Sequence, residues 1–379
     1  MAQAELDRQR LTEALELALA AVGLSDPNPR VGCVIGNATG AVFGRGHTQQ
    51  AGGPHAEVVA LRDAAAAGLP VRGATAWVTL EPCAHHGRTP PCCDALIAAG
   101  LARVVVALAD PFPQVAGEGI ARLRAAGIQV DFAPPDIAEQ AWALNIGFFS
   151  RVQRGRPWVR VKVASSLDGR TALDNGASQW ITSPEARADG HAWRRRAGAV
   201  LTGIGTVLAD DPRLDVRLVP TVRQPLRVVV DSALRTPPTA KLLDAPGSVC
   251  IATADDGFPG APGLRARGAE LLALPGPAAQ VDLRALLARL AARGVNELHV
   301  EAGQGLTGAL LRAGLADEVL AYVAPLLLGG GRGWVAWPEL QTVGQGLRLR
   351  LQDVQRVGPD LRLQLAPDNA TPFGFSPPT

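Results

Sequence analysis

Residues 80–96 read "LEPCAHHGRTPPCCDAL", and how this stretch is parsed decides the fold of the first half of the chain. Leu80 ends the apolar run "ATAWVTL" (74–80), which reads as a buried strand. "PCCDALIAAG" (91–100) reads as a helix, with Pro91 favoured at its start and Gly100 at its end. Strand, polar turn and helix form the repeating unit of a layered α/β domain.

Working outward, the alternation continues on both sides. "AELDRQRLTEALELALAAVG" (4–23) reads as a helix, and "VGCVIGN" with "AVFGRGH" reads as a hairpin around residues 38–40. "HAEVVALRDAAAAG" is a helix stopped by Gly68. After the central stretch come the strand "ARVVVALAD", the helix "GEGIARLRAAG", the strand "QVDFA" and one closing helix, "PDIAEQAWALNIGFFSRVQRG". A joint at "RVQRGRPW" follows, and the domain boundary is expected near Ser150. The organisation expected is 1–150, 151–366 and a loose tail over 367–379.

The second half alternates again. Its strand candidates are "WVRVKVASSLDG", "AVLTG", "LRVVVDS", "SVCIAT", "AELLAL", "ELHVEAG" and "EVLAYVAPLLL". Its helix candidates are "SPEARADGHAWRRRA", "DLRALLARLAARG" and "LTGALLRAGLA". "ADDGFPGAPGLRARG" reads as a surface loop from its composition, and "LRLRLQDVQRVGPDLRLQL" as a closing hairpin.

The bulk numbers narrow the function. A chain of 379 residues suits two domains rather than one core. A net charge of +2 gives no field for nucleic acid or an anionic membrane. Aromatic residues make up only 4%, too few for a stacking groove on single strands. No basic-then-apolar leader and no span-length apolar run is present, so the expected location is cytoplasmic. Five cysteines in such a chain point to metal binding or catalysis, not to a disulfide framework.

The chemistry concentrates in "PHAE" (54–57) and the two Pro-Cys pairs. A Pro-Cys pair alone is more often a small buried residue at a helix start. Here Cys83 and Cys92 are both expected to open helical turns, where the positive helix end lowers a thiol's pKa. Two thiolates and the His55 imidazole suit Zn²⁺ and leave a fourth tetrahedral position open, the mark of a catalytic site. Glu57 is the base beside it. This is the H-x-E and P-C-x-x-C pattern of zinc-dependent nucleobase deaminases. The sequence departs from it in one respect: eight residues separate Cys83 from Cys92 instead of two. The insert leaves His85, His86 and Cys93 as rival ligands, held below the first set because Cys93 follows Cys92 along a helix. Residues at i and i+2 do not share a helix face, a difficulty for pairing His55 with Glu57 that eases if His55 sits at the cap, ahead of helical geometry.

With these residues in view, the chain resembles the bifunctional deaminase/reductase family of riboflavin biosynthesis. "DPNPRVGCVI", "GGPHAEVVAL", "VTLEPCAHHGRTPPCCDALI" and "ADPFPQVAGEGI" resemble its deaminase half, long insert included. "VKVASSLDGRTA", "SQWITSPEAR", "TVLADDPRL" and "EAGQGLTGALL" resemble its reductase half. The resemblance runs in order from about residue 10 to about residue 365. It implies a cytidine-deaminase-like three-layer α/β domain followed by a dihydrofolate-reductase-like α/β domain. It implies Zn²⁺ and NADPH as cofactors and a phosphorylated pyrimidine as the small-molecule substrate. The first half would remove ammonia from a diaminopyrimidinone, and the second would reduce its ribosyl group to ribityl.

The same resemblance implies residue roles. His55, Cys83 and Cys92 would hold zinc, Glu57 would shuttle protons, and Asn28 and His47 would line the pyrimidine pocket. Ala164, Trp180, Thr206, Asp210 and Ser232 fall on the NADPH side, with Trp180 equally readable as core. Ser178, Arg194, Leu214, Arg217 and Glu301 fall on the substrate side, Arg194 on its phosphate. From the residues themselves, Gly303, Gly305 and Gly308 form G-x-G-x-x-G between a strand and a helix, a pattern that offers backbone N–H groups to phosphate. In a chain with 42 glycines that pattern is weak, and it lacks a Rossmann setting. The resemblance extends the loop through Gln304, Leu306, Thr307 and Ala309. Lys162 and Asp168 are noted without a role. The rival readings are a deaminase with an inert second domain and a nucleic-acid binder with a structural zinc. A homo-oligomer is left open.

Overall fold

A computed structural model describes residues 3–85, 90–110, 117–255, 257–371 and 373–375. The chain divides into two compact units, Met1–Gly155 together with Phe373–Thr379, and Arg156–Pro372. His86 lies outside the described residues.

In the first unit the strands are β1 (Gly32–Gly36), β2 (Val42–His47), β3 (Thr75–Val78), β4 (Arg103–Val106) and β5 (Gln129–Phe132). The helices are α1 (Gln3–Leu19), α2 (Ala56–Ala66), α3 (Cys92–Ala99), α4 (Glu118–Ala125), α5 (Pro135–Leu144) and α6 (Ile146–Arg154). The sheet order is β2-β1-β3-β4-β5. β1 runs antiparallel to β2 and β3, and the rest is parallel.

Glycines show how helices cover both faces of this sheet. Gly32 lies opposite His47, and its neighbour Cys33 lies opposite Gly46, so these two pairs face opposite sides. A Cβ on Gly32 would sit 1.8 Å from the Ala14 carbonyl oxygen of α1. A Cβ on Gly46 would sit 2.2 Å from the Ala56 oxygen of α2, and one on Gly44 would sit 2.1 Å from the Ala60 oxygen. α1 and α2 therefore press their backbones onto opposite faces, which gives the expected three layers. A prediction follows for Gly46→Ala. Its methyl has only backbone to push against, so it must displace the start of α2. We expect a loss of about 1–3 kcal/mol in denaturant unfolding, with weaker zinc retention on dialysis.

The single closing helix expected over 135–155 is two helices, α5 and α6, meeting at Asn145. The Asn145 side chain accepts from the Arg30 N–H (2.7 Å) and donates to the Arg30 carbonyl (2.9 Å). This buried pairing with the irregular segment ahead of β1 overrides local helix propensity. Phe373 and Phe375 pack against this core, with ring centroids 5.3 and 6.2 Å from that of Trp142.

In the second unit the chain runs β6 (Trp158–Ser166), β7 (Arg170–Ala172), α7 (Pro184–Arg196), β8 (Ala199–Gly203), α8 (Ile204–Asp210) and β9 (Leu226–Val230). It continues through α9 (Lys241–Asp244), β10 (Val249–Thr253), α10 (Ala261–Ala266), β11 (Glu270–Ala273), α11 (Leu283–Ala292) and β12 (Glu297–Val300). It ends with α12 (Gln304–Arg312), β13 (Glu318–Ala324), β14 (Arg332–Gly333), β15 (Leu349–Val357) and β16 (Asp360–Pro367). Nine strands form one sheet in the order β11-β10-β9-β8-β12-β6-β13-β16-β15. The seven from β11 to β13 are parallel, so their carboxyl ends lie along one edge; β16 and β15 close the other side antiparallel. The segment read as a loop contains α10, whose Ala261 and Leu264 are buried in a small core of their own. The glycines and prolines around it masked one turn of apolar spacing.

Candidate active sites

The first site is built by three local breaks in regular structure. Pro54 precedes α2, and His55 stands at its N-cap with extended backbone (φ −77°, ψ 168°). Glu57 is the second helical residue. Because His55 precedes the helix, the i and i+2 side chains need not diverge. Cys92 is the first residue of α3. Cys83 does not open a helical turn as expected; it lies in irregular backbone after β3. Its sulfur instead receives the Cys92 backbone N–H at 3.3 Å, so α3 still contributes its positive end to both sulfurs.

His55 Nδ1 lies 3.2 Å from Cys92 Sγ and 3.6 Å from Cys83 Sγ, and the three donor atoms all fall within 4.8 Å of one another. One imidazole and two sulfurs at that spacing fit a tetrahedral Zn²⁺, with one position left over among the described residues. The Cys83 thiol is pulled down to about 4 by hydrogen bonds from the Cys92 thiol, from His55 and from the Cys92 N–H, which together outweigh burial. Glu57 is only 3% exposed. Burial, then the charge on Cys83, pushes its carboxyl up to about 7. Of the rival ligands that are described, Cys93 turns its thiol to the Cys83 carbonyl (3.0 Å), and His85 is exposed. Asn28 lies in the turn after α1 and His47 ends β2. Among the described residues neither side chain hydrogen-bonds to the triad.

The second site is a cavity of about 920 Å³ in the second unit. It opens where the strands' carboxyl ends meet the helices that follow, the usual place for a ligand in an open α/β sheet. On the NADPH side of the expectation, Ala164, Thr206, Asp210 and Ser232 line it, as do Gly303, Gln304, Gly305, Leu306 and Ala309. Gly303 is the N-cap of α12. A Cβ on Gly305 would meet nothing, so that face of the loop is open. Gly308 has a different reason: its Cβ would fall 2.2 Å from the Ala336 oxygen, so it is a packing glycine. Thr307 is also buried, its hydroxyl 3.4 Å from the Ala302 carbonyl. Neither of these two lines the cavity. Trp180 does not line it either, and it is not core. It is 64% exposed, with the Arg187 guanidinium 4.3 Å over its ring.

Of the substrate-side residues, Ser178 and Glu301 line the cavity. Arg194 stands behind Glu301, bound to both its oxygens (2.5 and 2.9 Å) and to the Asp215 carbonyl (2.8 Å). Leu214 is buried with a left-handed backbone (φ 55°) and does not line the cavity. Arg213 and Arg217 are half-exposed and share the buried Asp215 carboxylate, each at 2.8 Å. Burial would raise Glu301, but Arg194, His299 and Lys162 outweigh it and hold its carboxyl well below the usual range. Burial, followed by Arg194, lowers Lys162 against the pull of Glu301. Sequence reasoning missed Arg235, Gln280 and Arg332 on the lining and gave Lys162 no role. No local motif marks them, because strands far apart in sequence bring them together.

One unit thus carries a donor set for zinc beside a buried carboxyl; the other carries a glycine-edged cavity at a helix start with fixed charges. This is the class of two-domain proteins that join a zinc-type deaminase to a dinucleotide-dependent reductase. Residues 4–108 match the cytidine and deoxycytidylate deaminase zinc-binding region, and residues 157–363 match the RibD C-terminal domain. The chain belongs to the RibD family. It is 45% identical to the riboflavin biosynthesis protein RibD of Escherichia coli K12, over 95% of this chain and 99% of that one. It is 40% identical to the Aquifex aeolicus protein of the same name, over 94% and 97%. Among solved structures, Acinetobacter baumannii RibD matches with a TM-score of 0.87 at 42% identity, covering 96% of this chain and 99% of that one. The diaminohydroxyphosphoribosylaminopyrimidine deaminase/5-amino-6-(5-phosphoribosylamino)uracil reductase of Thermotoga maritima matches at 0.86 and 31%, covering 96% and 99%.

Proposed function

We propose that this chain carries out two successive steps of riboflavin biosynthesis, deaminating a phosphoribosylamino-diaminopyrimidinone and then reducing its ribosyl group with NADPH. The observation that carries this reading is the presence, in one chain, of the His55/Cys83/Cys92 donor set beside buried Glu57 and the cavity edged by Gly303 and Gly305. An inert second domain is not favoured, because Glu301, Arg194 and Lys162 retain a charge arrangement at the cavity that packing alone does not require. A structural zinc is not favoured either, because three donors, among the described residues, leave one position open.

His55, Cys83 and Cys92 hold Zn²⁺, which supplies Lewis acidity at neutral pH when bound. Glu57 accepts a proton on its carboxylate as water adds to the ring carbon bearing the amine. It passes that proton to the ring nitrogen, then takes a second from the hydroxyl of the tetrahedral adduct and delivers it to the leaving ammonia. Its burial keeps bulk water from competing for those protons. Asn28 and His47 orient the ring.

In the second unit the α12 N-terminus and the open Gly303 and Gly305 backbone bind the dinucleotide phosphates, and NADPH supplies a hydride when bound. Glu301 orients the sugar, its own position fixed by two bonds from Arg194. Arg217, with Arg213 beside it, meets the substrate phosphate as a pair of guanidinium forks. Arg194 itself is committed to Glu301, so its part in phosphate binding is indirect.

Among the described residues no helix is long and apolar enough to cross a membrane. A cytoplasmic location fits a small charged substrate. The test is metal dependence. Purified protein should hold close to one zinc per chain, lose ammonia release on chelation, and regain it with Zn²⁺. Ammonia release that survives complete zinc removal contradicts the reading.

A further inference from the structure

Residues 213–217 have their backbone held by side chains and their guanidinium groups turned outward. The Asp215 carbonyl accepts from Arg194 Nη1 at 2.8 Å. The Val216 N–H donates to Gln224 Oε1 (2.7 Å), and the Val216 carbonyl accepts from Gln224 Nε2 (2.9 Å). The Arg217 N–H donates to His191 Nδ1 at 3.2 Å. Side chains, not a strand or a helix, therefore fix this stretch of irregular backbone. On the outside, Arg213 and Arg217 both bond the Asp215 carboxylate, yet 44% and 46% of their side chains stay exposed. A guanidinium has more N–H donors than that shared carboxylate takes, so both keep donors for an anion. Arg194 ties the segment to the cavity, because it also bonds both oxygens of Glu301 on the cavity lining.

Among these anchors His191 has no role so far. It is buried on α7, three residues before Arg194. Residues three apart share a helix face, so α7 presents both anchors to the segment together. Because Nδ1 accepts, the ring proton is on Nε2. Nε2 lies 3.5 Å from Arg194 Nη1, which also carries hydrogen, so that contact is packing and not a bond. The imidazole has to be neutral to accept, and its surroundings keep it so. Burial, then Arg194 and Arg217, hold its pKa down to about 4 against the pull of Glu301 and Asp215. A leucine would fill much of the same space but would leave the Arg217 N–H without this acceptor. An anchored segment is already in its binding form. Without the anchor only a fraction of molecules would be, and the apparent affinity falls by that fraction.

We propose that His191 is a positioning residue for the substrate phosphate, holding the Arg217 backbone so that the Arg217 and Arg213 forks meet the anion. The proposal rests on reading those two arginines as the phosphate site.

The test is NADPH oxidation by the full-length protein with the deaminated pyrimidine, at saturating NADPH. Two constants are measured: the KM of the phosphorylated substrate, and the inhibition constant of its dephosphorylated counterpart. His191→Leu should raise the KM about 10-fold, the scale of a buried N–H losing its partner. It should leave kcat and the inhibition constant where they are. His191→Asn puts an amide oxygen close to the place of Nδ1 and should restore the parent KM. A histidine that only fills the core would move both constants together, and asparagine would not rescue it. Should His191→Leu not fold, His191→Gln carries the test, because its oxygen falls nearer the place of Nε2 and leaves the Arg217 N–H unmet. If these variants keep the parent KM while Arg217→Ala raises it, the positioning role is wrong and the phosphate site stands. If Arg217→Ala also keeps the parent KM, the reading of the phosphate site fails and the proposal falls with it.

Discussion

Glu57→Gln should abolish ammonia release while leaving zinc in place. Glutamine keeps the shape of the side chain, so the buried pocket next to Cys33 and the triad stays filled. It cannot accept and return a proton. General acid–base transfer of this kind is worth ~10²–10⁴-fold, and the rate should drop by that factor. Zinc content, measured by atomic emission on protein freed of loose metal, should equal that of the parent, since Glu57 is not among the three donors. A variant that loses zinc as well as activity would place Glu57 among the ligands. A variant that keeps its rate would remove it from the mechanism.

Glu301→Leu should disable the second unit in two ways at once. The leucine leaves the Arg194 guanidinium, 12% exposed, without the carboxylate that takes two of its hydrogen bonds. Breaking a buried pair by removing one partner costs about 3–5 kcal/mol. For a unit of this size that corresponds to roughly ten degrees in thermal midpoint. NADPH-dependent reduction should vanish at temperatures where the variant is still folded, while ammonia release from the first unit continues. The pair also sets a pH dependence. The folded Glu301 carboxyl sits well below its ordinary value of 4.5. Its stabilisation is therefore complete above that value and fades as pH falls through it towards the folded pKa. The parent should lose stability over that acid range, and Glu301→Leu should lose less of it there.

Much of this was legible in sequence because the signals were local. Glycine and proline punctuation around alternating apolar runs marked the seven parallel strands of the second unit and the helices that matter. The i and i+2 spacing of His55 and Glu57 posed a difficulty that the cap position of His55 resolves. The clustering of His55, Cys83 and Cys92 was readable because residue type alone restricts candidate metal donors. What failed was set by distant contacts. Asn145 splits a helix because Arg30, far away in sequence, offers its backbone. Gly308 belongs to a loop pattern by spacing, but packing is what requires it. Cys83 gains its helix-end contact from α3 rather than from a turn of its own. That Arg194, at a phosphate-binding position by resemblance, bonds both oxygens of Glu301 could not be read from either residue alone. Arg235 has no motif at all; only the order of strands shows where it stands.

The most direct test of two working sites in one chain is NADPH oxidation followed at 340 nm. The purified protein is given the undeaminated diaminopyrimidinone carrying its phosphoribosylamino group. The parent should consume NADPH, Glu57→Gln should not, and adding the deaminated pyrimidine should restore consumption by Glu57→Gln. Failure of the parent to oxidise NADPH with either pyrimidine would contradict the reductase half. Consumption by Glu57→Gln with the undeaminated compound would contradict the order of the two steps.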